Sequence, residues 1–251
     1  MPFILAAETT IQKLRWCLAY VWANENTDFF PLIYILCLLV CMAIPYLLGS
    51  MNFALIFSKL FRHDDIRKHG SGNAGMTNML RTYGKGMAVA TLLCDMAKGA
   101  VSVILGYLFL EVDGAMIAGL FCILGHVFPC FYKFKGGKGV ATATIVIMIT
   151  SPFVGLILLA LFIGIVAATK YISLGSVMCM FLYPVILWAF NGIYEPGLRN
   201  IISILIAVLI IFMHRSNIKR LYEGKENKLS LKRHKEATKD SSAEQKQGEE
   251  K

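Results

Sequence analysis

Charged residues are scarce in this sequence. They make up 16% of its 251 residues, against about 25% in an average soluble domain. Hydrophobic residues account for 57% of the chain, and the mean hydropathy is +0.61. This composition excludes a disordered chain, a collagen-like chain and a protein that coats nucleic acid, and it is unusual for a soluble domain. The sequence therefore predicts an integral membrane protein.

The motifs of several enzyme classes are also missing. The seven cysteines are scattered, without a Cys-x-x-Cys pair or a Cys/His ligand spacing, so neither a zinc site nor a disulfide framework is expected. There is no Gly-x-Ser-x-Gly elbow, no His-Glu-x-x-His metal site and no P-loop. None of the five histidines has an aspartate five residues later. That absence excludes the His-x4-Asp acyltransferases, which use acyl thioesters.

Long apolar runs predict several membrane-spanning helices. A helix needs about 20 apolar residues to cross the hydrocarbon core of a bilayer. The candidate runs cover residues 29–57, 86–110, 114–132, 139–169, 171–194 and 199–213. Because Pro152 disfavours one uninterrupted helix, we divide the fourth run into helices over 140–150 and 153–169. The prediction is an all-α polytopic bundle of about seven transmembrane helices, with five or six as alternatives.

The basic residues favour one orientation. If the N-terminus lies outside, the cytoplasmic pieces are residues 58–85, residues 133–138, the turn at Lys170 and the segment from His214 onward. These pieces hold 21 of the 25 Lys and Arg residues. Since basic residues favour cytoplasmic loops, we predict an N-out, C-in topology.

The two ends of the chain differ from the predicted membrane domain, residues 29–222. Residues 1–28 lack the pattern of a signal peptide, and we interpret them as an N-terminal extension that forms an interfacial amphipathic helix. Residues 223–251 have almost no apolar content, so we predict a disordered, basic cytoplasmic tail.

Three polar loops fall on the predicted cytoplasmic side, and the first covers residues 70–78. Its three glycines permit positive φ angles and a close approach of the backbone to a ligand. With the hydroxyls of Ser71 and Thr77 and the guanidinium of Arg81, the loop is a candidate anion site. A flexible turn between helices is the alternative.

The second loop carries the run Lys-Gly-Gly-Lys-Gly at residues 135–139, directly before an apolar helix. Glycines expose backbone N–H groups, and a helix N-terminus and lysines add positive potential, so the run favours phosphate binding. The spacing is not that of a P-loop, which disfavours a nucleotide. A simple positive-inside anchor is the alternative, but an anchor needs no glycines.

Further candidates lie at the ends of spans and inside one span. The third loop covers residues 214–221, directly after the last span. Its His214 and Asn217 have a spacing that places them on one helix face, whereas a stop-transfer cluster requires only the basic residues around them. Asp95 and Lys98 are three residues apart within a span, where charges usually pair inside the bundle. A proton or ion path is the alternative for this pair. A structural and a catalytic role are equally open for His126.

Four segments of the sequence resemble a known family. They are GSGNAGMTNMLRTYGKG at 70–86, DMAKG at 95–99, GHVFPCFYKFKGGKGVAT at 125–142 and HRSNIKRLYEGKE at 214–226. Together they are similar to the bacterial acyl-phosphate:glycerol-3-phosphate acyltransferases, the PlsY family, over roughly residues 35–226. Met76 departs from the alanine that the family usually carries there.

The resemblance implies a seven-helix enzyme of the bacterial cell membrane with its active site facing the cytoplasm. It would transfer a fatty acyl group from acyl phosphate to the 1-hydroxyl of glycerol 3-phosphate, giving lysophosphatidic acid and inorganic phosphate for phospholipid synthesis. No metal and no organic cofactor are implied, and the expected partners are the two substrates and membrane lipid, with no nucleic acid. We expect a monomer.

The site residues follow by motif position. The predicted catalytic residues are Ser71, Arg81, Lys138, His214 and Asn217. The predicted substrate-binding residues are Gly70, Gly72, Asn73, Thr77, Asn78, His126, Lys135, Gly136, Gly137, Gly139 and Thr142.

The chemistry of the substrates agrees with these residues. An acyl phosphate is already activated, so alignment and charge stabilisation suffice without a serine nucleophile. Either His214 or a substrate phosphate oxygen can take the proton of the attacking hydroxyl. We favour the phosphate and assign His214 to positioning and polarising. The competing class is a transporter for a phosphorylated solute, but the polar motifs lie at one side of the membrane and the sequence shows no inverted repeat.

Overall fold

The computed structural model describes residues 30–191 and 197–229. These residues form α-helices joined by loops and short 3-10 turns, and this described part contains no strand. The predicted interfacial helix over residues 1–28 lies outside the described residues, as does the predicted tail beyond residue 229. The helices are α1 (Phe30–Ser50), α2 (Phe53–Arg62), α3 (Met76–Tyr83), α4 (Lys85–Val127), α5 (Val140–Thr150), α6 (Pro152–Thr169), α7 (Ile172–Asn191), α8 (Leu198–Met213) and α9 (Arg215–Tyr222).

The apolar helices confirm the prediction of an all-helical membrane bundle. Within the described residues, four helical stretches are long and apolar enough to cross a membrane: Pro31–Arg62, Lys85–Tyr132, Pro152–Thr169 and Ile172–Phe190. α8 and α9 add a fifth if the pair, bent by 57°, is counted as one span. α5 is a shorter apolar helix.

Two breaks divide the apolar runs. Pro152 is the first residue of α6, and the non-helical backbone at Ser151 (φ −150°, ψ 73°) separates that helix from α5, which confirms the predicted division. The charge-free run 29–57 is also two helices, because α1 ends at Ser50 and Asn52 begins α2. The Asn52 side chain accepts the N–H of Leu55, a standard helix cap.

A sharp kink folds α4 back on itself. The backbone leaves the helical region at Leu110 and at Glu111, where φ is 52°. The arms on either side of the kink pack closely, since a Cβ placed on Gly106 would lie 2.2 Å from the carbonyl oxygen of Gly114. The two apolar runs predicted at 86–110 and 114–132 are therefore the arms of one helical hairpin.

The hairpin is the centre of the bundle. α1 packs against it so tightly that a Cβ on Gly125 would lie 2.1 Å from the carbonyl oxygen of Tyr46. On its other side, buried side chains from the five helices α4 to α8 form the main core, including Ile123, Val146 and Tyr183. This packing holds the end of α4 at Val127 beside the loops that carry the polar motifs.

Candidate active site

A cavity of about 450 Å³ lies where the three polar loops meet. Its polar lining comes from segments far apart in the sequence and includes Ser71, Asn73, Thr77, Asn78, Arg81, Asp95, His126, Lys138, Ser173, His214, Asn217, Glu226 and Asn227. Its apolar lining comes mainly from α5, α6 and α7 and includes Ile145, Met148, Leu158, Leu159, Phe162 and Met180. The cavity therefore joins a polar end to an apolar interior.

The Asn78 side chain organises the first polar loop. Its amide nitrogen donates to the carbonyl oxygens of Ile66 (3.1 Å) and His69 (2.9 Å), and its oxygen accepts the N–H of Ser71 (3.0 Å). Gly70 lies against this amide at φ +56°, a conformation that favours glycine. Asn78 is thus 1% exposed and holds Ser71 at the cavity wall.

Arg81 reaches the cavity from α3, the helix that follows this loop. Its guanidinium donates to the carbonyl oxygen of Asn227 (3.4 Å). Burial lowers the pKa of Arg81, and the neighbouring Arg220 lowers it further, while Glu226 opposes both effects. The guanidinium nevertheless stays charged at physiological pH, because arginine does not lose its proton in proteins.

The glycines of the second loop press against the end of α4. Gly136 N–H donates to the Val127 carbonyl oxygen and Gly137 N–H to that of His126, each at 3.1 Å. A Cβ on Gly136 would lie 2.1 Å from the His126 carbonyl oxygen, and a Cβ on Gly137 would lie 2.2 Å from His126 Nε2. These two glycines serve close packing, and their N–H groups are already bonded to the protein.

Lys138 connects the second loop to the third. Its ammonium donates to the side-chain oxygen of Asn217, whose amide nitrogen donates to Glu226 Oε1 (2.7 Å). Burial is the main cause that lowers the pKa of Lys138, to about 8, and the charges of Arg220 and Arg81 lower it too, against the opposing effect of Glu226. Lys138 is therefore charged below about pH 8, and a bound anion would raise this pKa again.

Glu226 is the functional candidate that the sequence analysis missed. Besides Asn217, its carboxylate accepts from Arg220 Nε (2.7 Å) and from the hydroxyl of Ser173 (2.9 Å). Burial raises the pKa of Glu226, but these hydrogen bonds outweigh burial and hold the pKa below its usual value. The only sequence signal was an acidic residue inside the last family-like segment.

Residues 223–229, which the sequence analysis assigned to the tail, lie against the site. Asn227 accepts from Arg81, and the N–H of Leu229 donates to the Lys170 carbonyl oxygen (2.7 Å). This stretch, which we call the strap, therefore connects α3 to the turn between α6 and α7. The sequence analysis assigned the strap to the tail because its residues are polar. The same polar residues suit a site that binds charged ligands.

His214 lies at the junction of α8 and α9 and is held by one clear hydrogen bond. Its Nδ1 is 2.8 Å from the carbonyl oxygen of Ile210, which accepts the proton, so Nε2 carries the lone pair. Burial lowers the pKa of His214 to about 4, and the charge of Lys138 also lowers it, against the effect of the Ile210 bond. The imidazole is neutral at pH 7.

A second polar cluster lies deeper, between the arms of the α4 hairpin. Lys98 Nζ is 2.9 Å from Asp95 Oδ1 and 3.0 Å from His126 Nδ1. Lys98 also donates to the carbonyl oxygens of Gly49 (3.0 Å) and Met51 (2.8 Å), at the end of α1. The predicted Asp95–Lys98 ion pair is therefore present, and it ties α1 to α4.

The structure brings most of the predicted site residues together. The five predicted catalytic residues line the cavity, as do Asn73, Thr77, Asn78, His126 and Gly139. The residues that do not line it are Gly70, Gly72, Lys135, Gly136, Gly137 and Thr142. Lys135 is exposed, its carbonyl oxygen accepting from Arg67 (3.1 Å), and Thr142 is buried with its hydroxyl donating to the Asp95 carbonyl oxygen (3.4 Å). Over residues 30–191 and 197–229, no group of three His, Cys, Asp or Glu side chains is placed to hold a metal ion.

Comparisons with known proteins agree with this geometry. A family model described as glycerol-3-phosphate acyltransferase matches residues 39–224. The chain is 45% identical over 192 residues to a glycerol-3-phosphate acyltransferase of Thermoanaerobacter sp. (strain X514), a match that covers 75% of this chain and 94% of the relative. It is 42% identical over 193 residues to one of Finegoldia magna, with 76% and 96% covered.

Two solved structures are similar to this structure. Both are described as PlsY (YgiH), an integral membrane glycerol 3-phosphate acyltransferase. The glycerol 3-phosphate form has a TM-score of 0.71 at 36% identity, and the match covers 77% of this chain and 96% of that chain. The lysophosphatidic acid form has a TM-score of 0.69 at 35% identity, with the same shares covered.

Proposed function

The chain belongs to the glycerol-3-phosphate acyltransferase family, and we propose that it carries out the family's reaction with an acyl phosphate as donor. In this reaction the 1-hydroxyl of glycerol 3-phosphate attacks the acyl carbon. The new ester bond forms lysophosphatidic acid, and the bond between the acyl carbon and the phosphate oxygen breaks to release inorganic phosphate.

One observation carries the proposal: the cavity joins cationic groups from separate loops to an apolar interior. Arg81 and Lys138 line its polar end, and Met148, Leu158 and Phe162 line its apolar part. Two phosphate groups repel each other, so a site that holds both needs fixed cations, and an acyl chain needs an apolar surface. The relatives with solved structures, in their glycerol 3-phosphate and lysophosphatidic acid forms, support this division.

The contacts suggest how the polar residues divide the work. Lys138 and Arg81 are the cations that lie closest to bound phosphate in our proposal, and Ser71 adds a hydroxyl at the same wall. Asn217 holds Lys138 in place through its side-chain oxygen. Since both cations come from rigidly held segments, their charge is preorganised for the transition state.

We assign the proton of the attacking hydroxyl to a substrate phosphate oxygen. His214 is neutral at pH 7 and offers the Nε2 lone pair, so it can accept a hydrogen bond from the hydroxyl and orient it. With a pKa of about 4 it is a weak base. His214 therefore polarises the hydroxyl in this scheme, and the released phosphate takes the proton.

Seven apolar helical segments fit a seven-span arrangement when the two arms of α4 are counted separately and α5 is included. We propose that the N-terminus lies outside and the C-terminus inside, with the cavity facing the cytoplasm of a bacterial cell, because residues 58–85 and 133–138 hold nine basic residues. We also propose that the protein acts as a monomer.

Pre-steady-state kinetics test the proposed direct transfer. Purified protein mixed with palmitoyl phosphate alone should release no stoichiometric burst of phosphate, because direct transfer forms no acyl-enzyme. Addition of glycerol 3-phosphate should start steady release of phosphate together with lysophosphatidic acid. A burst without the acceptor would replace direct transfer by a covalent mechanism. Uptake of glycerol 3-phosphate into proteoliposomes without any acylation would instead favour a transporter.

A further inference from the structure

Asp95, Lys98 and His126 form a buried cluster. The neighbours of His126 in this cluster determine which of its ring nitrogens carries the proton. The three residues are 1%, 6% and 4% exposed. An ammonium group has N–H donors and no acceptor. Because Lys98 Nζ lies 3.0 Å from His126 Nδ1, the ammonium favours the tautomer in which that nitrogen presents its lone pair.

The rest of the cluster agrees with this assignment. Lys98 satisfies its other two protons on the carbonyl oxygens of Gly49 and Met51, and Asp95 supplies its counter-charge at 2.9 Å. Asp95 Oδ1 is 3.5 Å from His126 Nδ1, which is too far for a good hydrogen bond from a protonated Nδ1. The ring proton of the neutral imidazole therefore resides on Nε2.

His126 Nε2 faces the second loop at the cavity. It is the atom that a Cβ on Gly137 would approach to 2.2 Å, and His126 lines the cavity wall. Among the residues that the structure describes, no protein group accepts a hydrogen bond from this nitrogen. A donor held at the edge of an anion-binding cavity is thus left for a ligand.

We propose that Lys98, paired with Asp95, is a positioning residue that fixes His126 as the Nε2–H tautomer, so that His126 donates a hydrogen bond to an oxygen of the acyl phosphate. This inference rests on the proposed function and deepens it. His126 keeps its proton throughout: it stabilises the negative charge that grows on the donor as the bond between acyl carbon and phosphate oxygen breaks.

The two histidines of the cavity then have opposite roles. His214 donates from Nδ1 to Ile210 and offers the lone pair of Nε2, whereas His126 accepts at Nδ1 from Lys98 and offers the proton of Nε2. One ring accepts from the attacking hydroxyl and the other donates to the acyl donor. The Ile210 carbonyl oxygen fixes the tautomer of His214, and the Lys98 ammonium fixes the tautomer of His126.

Two substitutions of His126 separate a donor from a base. Glutamine offers an amide N–H near the position of Nε2 but cannot act as a base, and leucine offers neither. We expect His126→Gln to keep kcat within about tenfold of the wild type, and His126→Leu to lower kcat by about 10²–10³-fold with little change in KM for glycerol 3-phosphate. If both variants fold and the glutamine variant is as inactive as the leucine variant, the donor role is wrong.

The tautomer itself is readable without any activity. Nitrogen-15 spectra of histidine-labelled wild-type protein should show His126 protonated at Nε2, and Lys98→Met should remove this preference and lower kcat. Lys85→Met, at an exposed lysine at the start of α4, is the control and should change neither. A wild-type ring protonated at Nδ1 would overturn the inference even if Lys98→Met fails to fold. A wild type that folds but does not turn over acyl phosphate would instead refute the proposed function.

Discussion

At the scale of single residues, Gly137 leaves no room for even one methyl group. A Cβ there would lie 2.2 Å from His126 Nε2 and 2.7 Å from the Ala74 carbonyl oxygen. The space is occupied by backbone and by a ring held through Lys98, so neither neighbour yields without moving the loop. The missing side chain of Gly137 therefore allows the second loop to lie directly against His126 and Ala74.

We expect Gly137→Ala to lower kcat/KM by about ten- to a hundredfold. The added methyl group would shift the loop that carries Lys138, and a misplacement of about 1 Å can cost about 10²-fold in rate. Steady-state assays of phosphate release measure the effect. Gly86→Ala is the matched control, since nothing lies within 4 Å of a Cβ at Gly86, and it should keep wild-type kinetics. Equal activities of the two variants would show that the close approach at Gly137 has no functional weight.

The lowered pKa of Lys138 makes activity depend on pH. Lys138 is charged below a pKa of about 8 and loses its charge as the pH rises through that value. Phosphate monoesters are already dianions above a second pKa of about 6, so the substrates keep their charge over this range. We expect kcat/KM for glycerol 3-phosphate to fall above pH 8.

The Lys138→Arg variant is the control for this pH profile. Its guanidinium stays charged at every pH used, so the decline above pH 8 should disappear, whatever the absolute activity of the variant. A wild-type profile that is flat from pH 7 to 9.5 would contradict the assignment of Lys138 to an anion in the free enzyme.

At the scale of elements, the α4 hairpin depends on small residues at its turn. A Cβ on Gly106 would lie 2.2 Å from the Gly114 carbonyl oxygen. We expect Gly106→Ala to destabilise the protein by about 1–3 kcal/mol, which lowers Tm by roughly 3–10 °C. Thermal unfolding in detergent measures this change. Gly164→Ala on α6 has open space around its Cβ, and alanine is favoured over glycine inside a helix by about 1 kcal/mol, so Tm should stay the same or rise by a few degrees. Similar Tm values for both variants would contradict the tight packing.

The strap also belongs to this scale, because it carries Glu226 and Asn227 to the site. We expect a chain that ends after residue 229 to keep its activity, and a chain that ends after residue 222 to lose at least tenfold in kcat/KM. The second truncation removes the hydrogen bonds to Asn217, Arg220 and Arg81. Full activity of the shorter chain would show that the strap is dispensable.

How much of this was predictable differs between elements. The break before α6 followed from Pro152, because proline acts on its own helix through local sterics. The sequence analysis predicted that the glycines at residues 136 and 137 expose their N–H groups to a phosphate, whereas in the structure these N–H groups are bonded to carbonyl oxygens at the end of α4. Glu226 is held by side chains that lie 6, 9 and 53 residues away in the sequence. The proton position on His126 depends on Lys98, which lies 28 residues away. Local sequence patterns do not show which residues from distant parts of the chain come into contact.

At the scale of the whole molecule, the bundle places the reaction at the boundary between a polar and an apolar phase. The α4 hairpin holds α1 on one side and the α5–α8 core on the other. The three loops close over one end of this assembly, so the charged substrate groups and the acyl chain meet in one cavity. Each substrate thus stays in contact with the phase that it favours.

The choice of acyl donor tests this account most directly. Purified protein in detergent is supplied with glycerol 3-phosphate and either palmitoyl phosphate or palmitoyl-CoA, and lysophosphatidic acid is measured in both reactions. We predict that the product forms from palmitoyl phosphate together with an equal amount of inorganic phosphate, and that none forms from the thioester. Product from palmitoyl-CoA, or none from palmitoyl phosphate in folded protein, would contradict it.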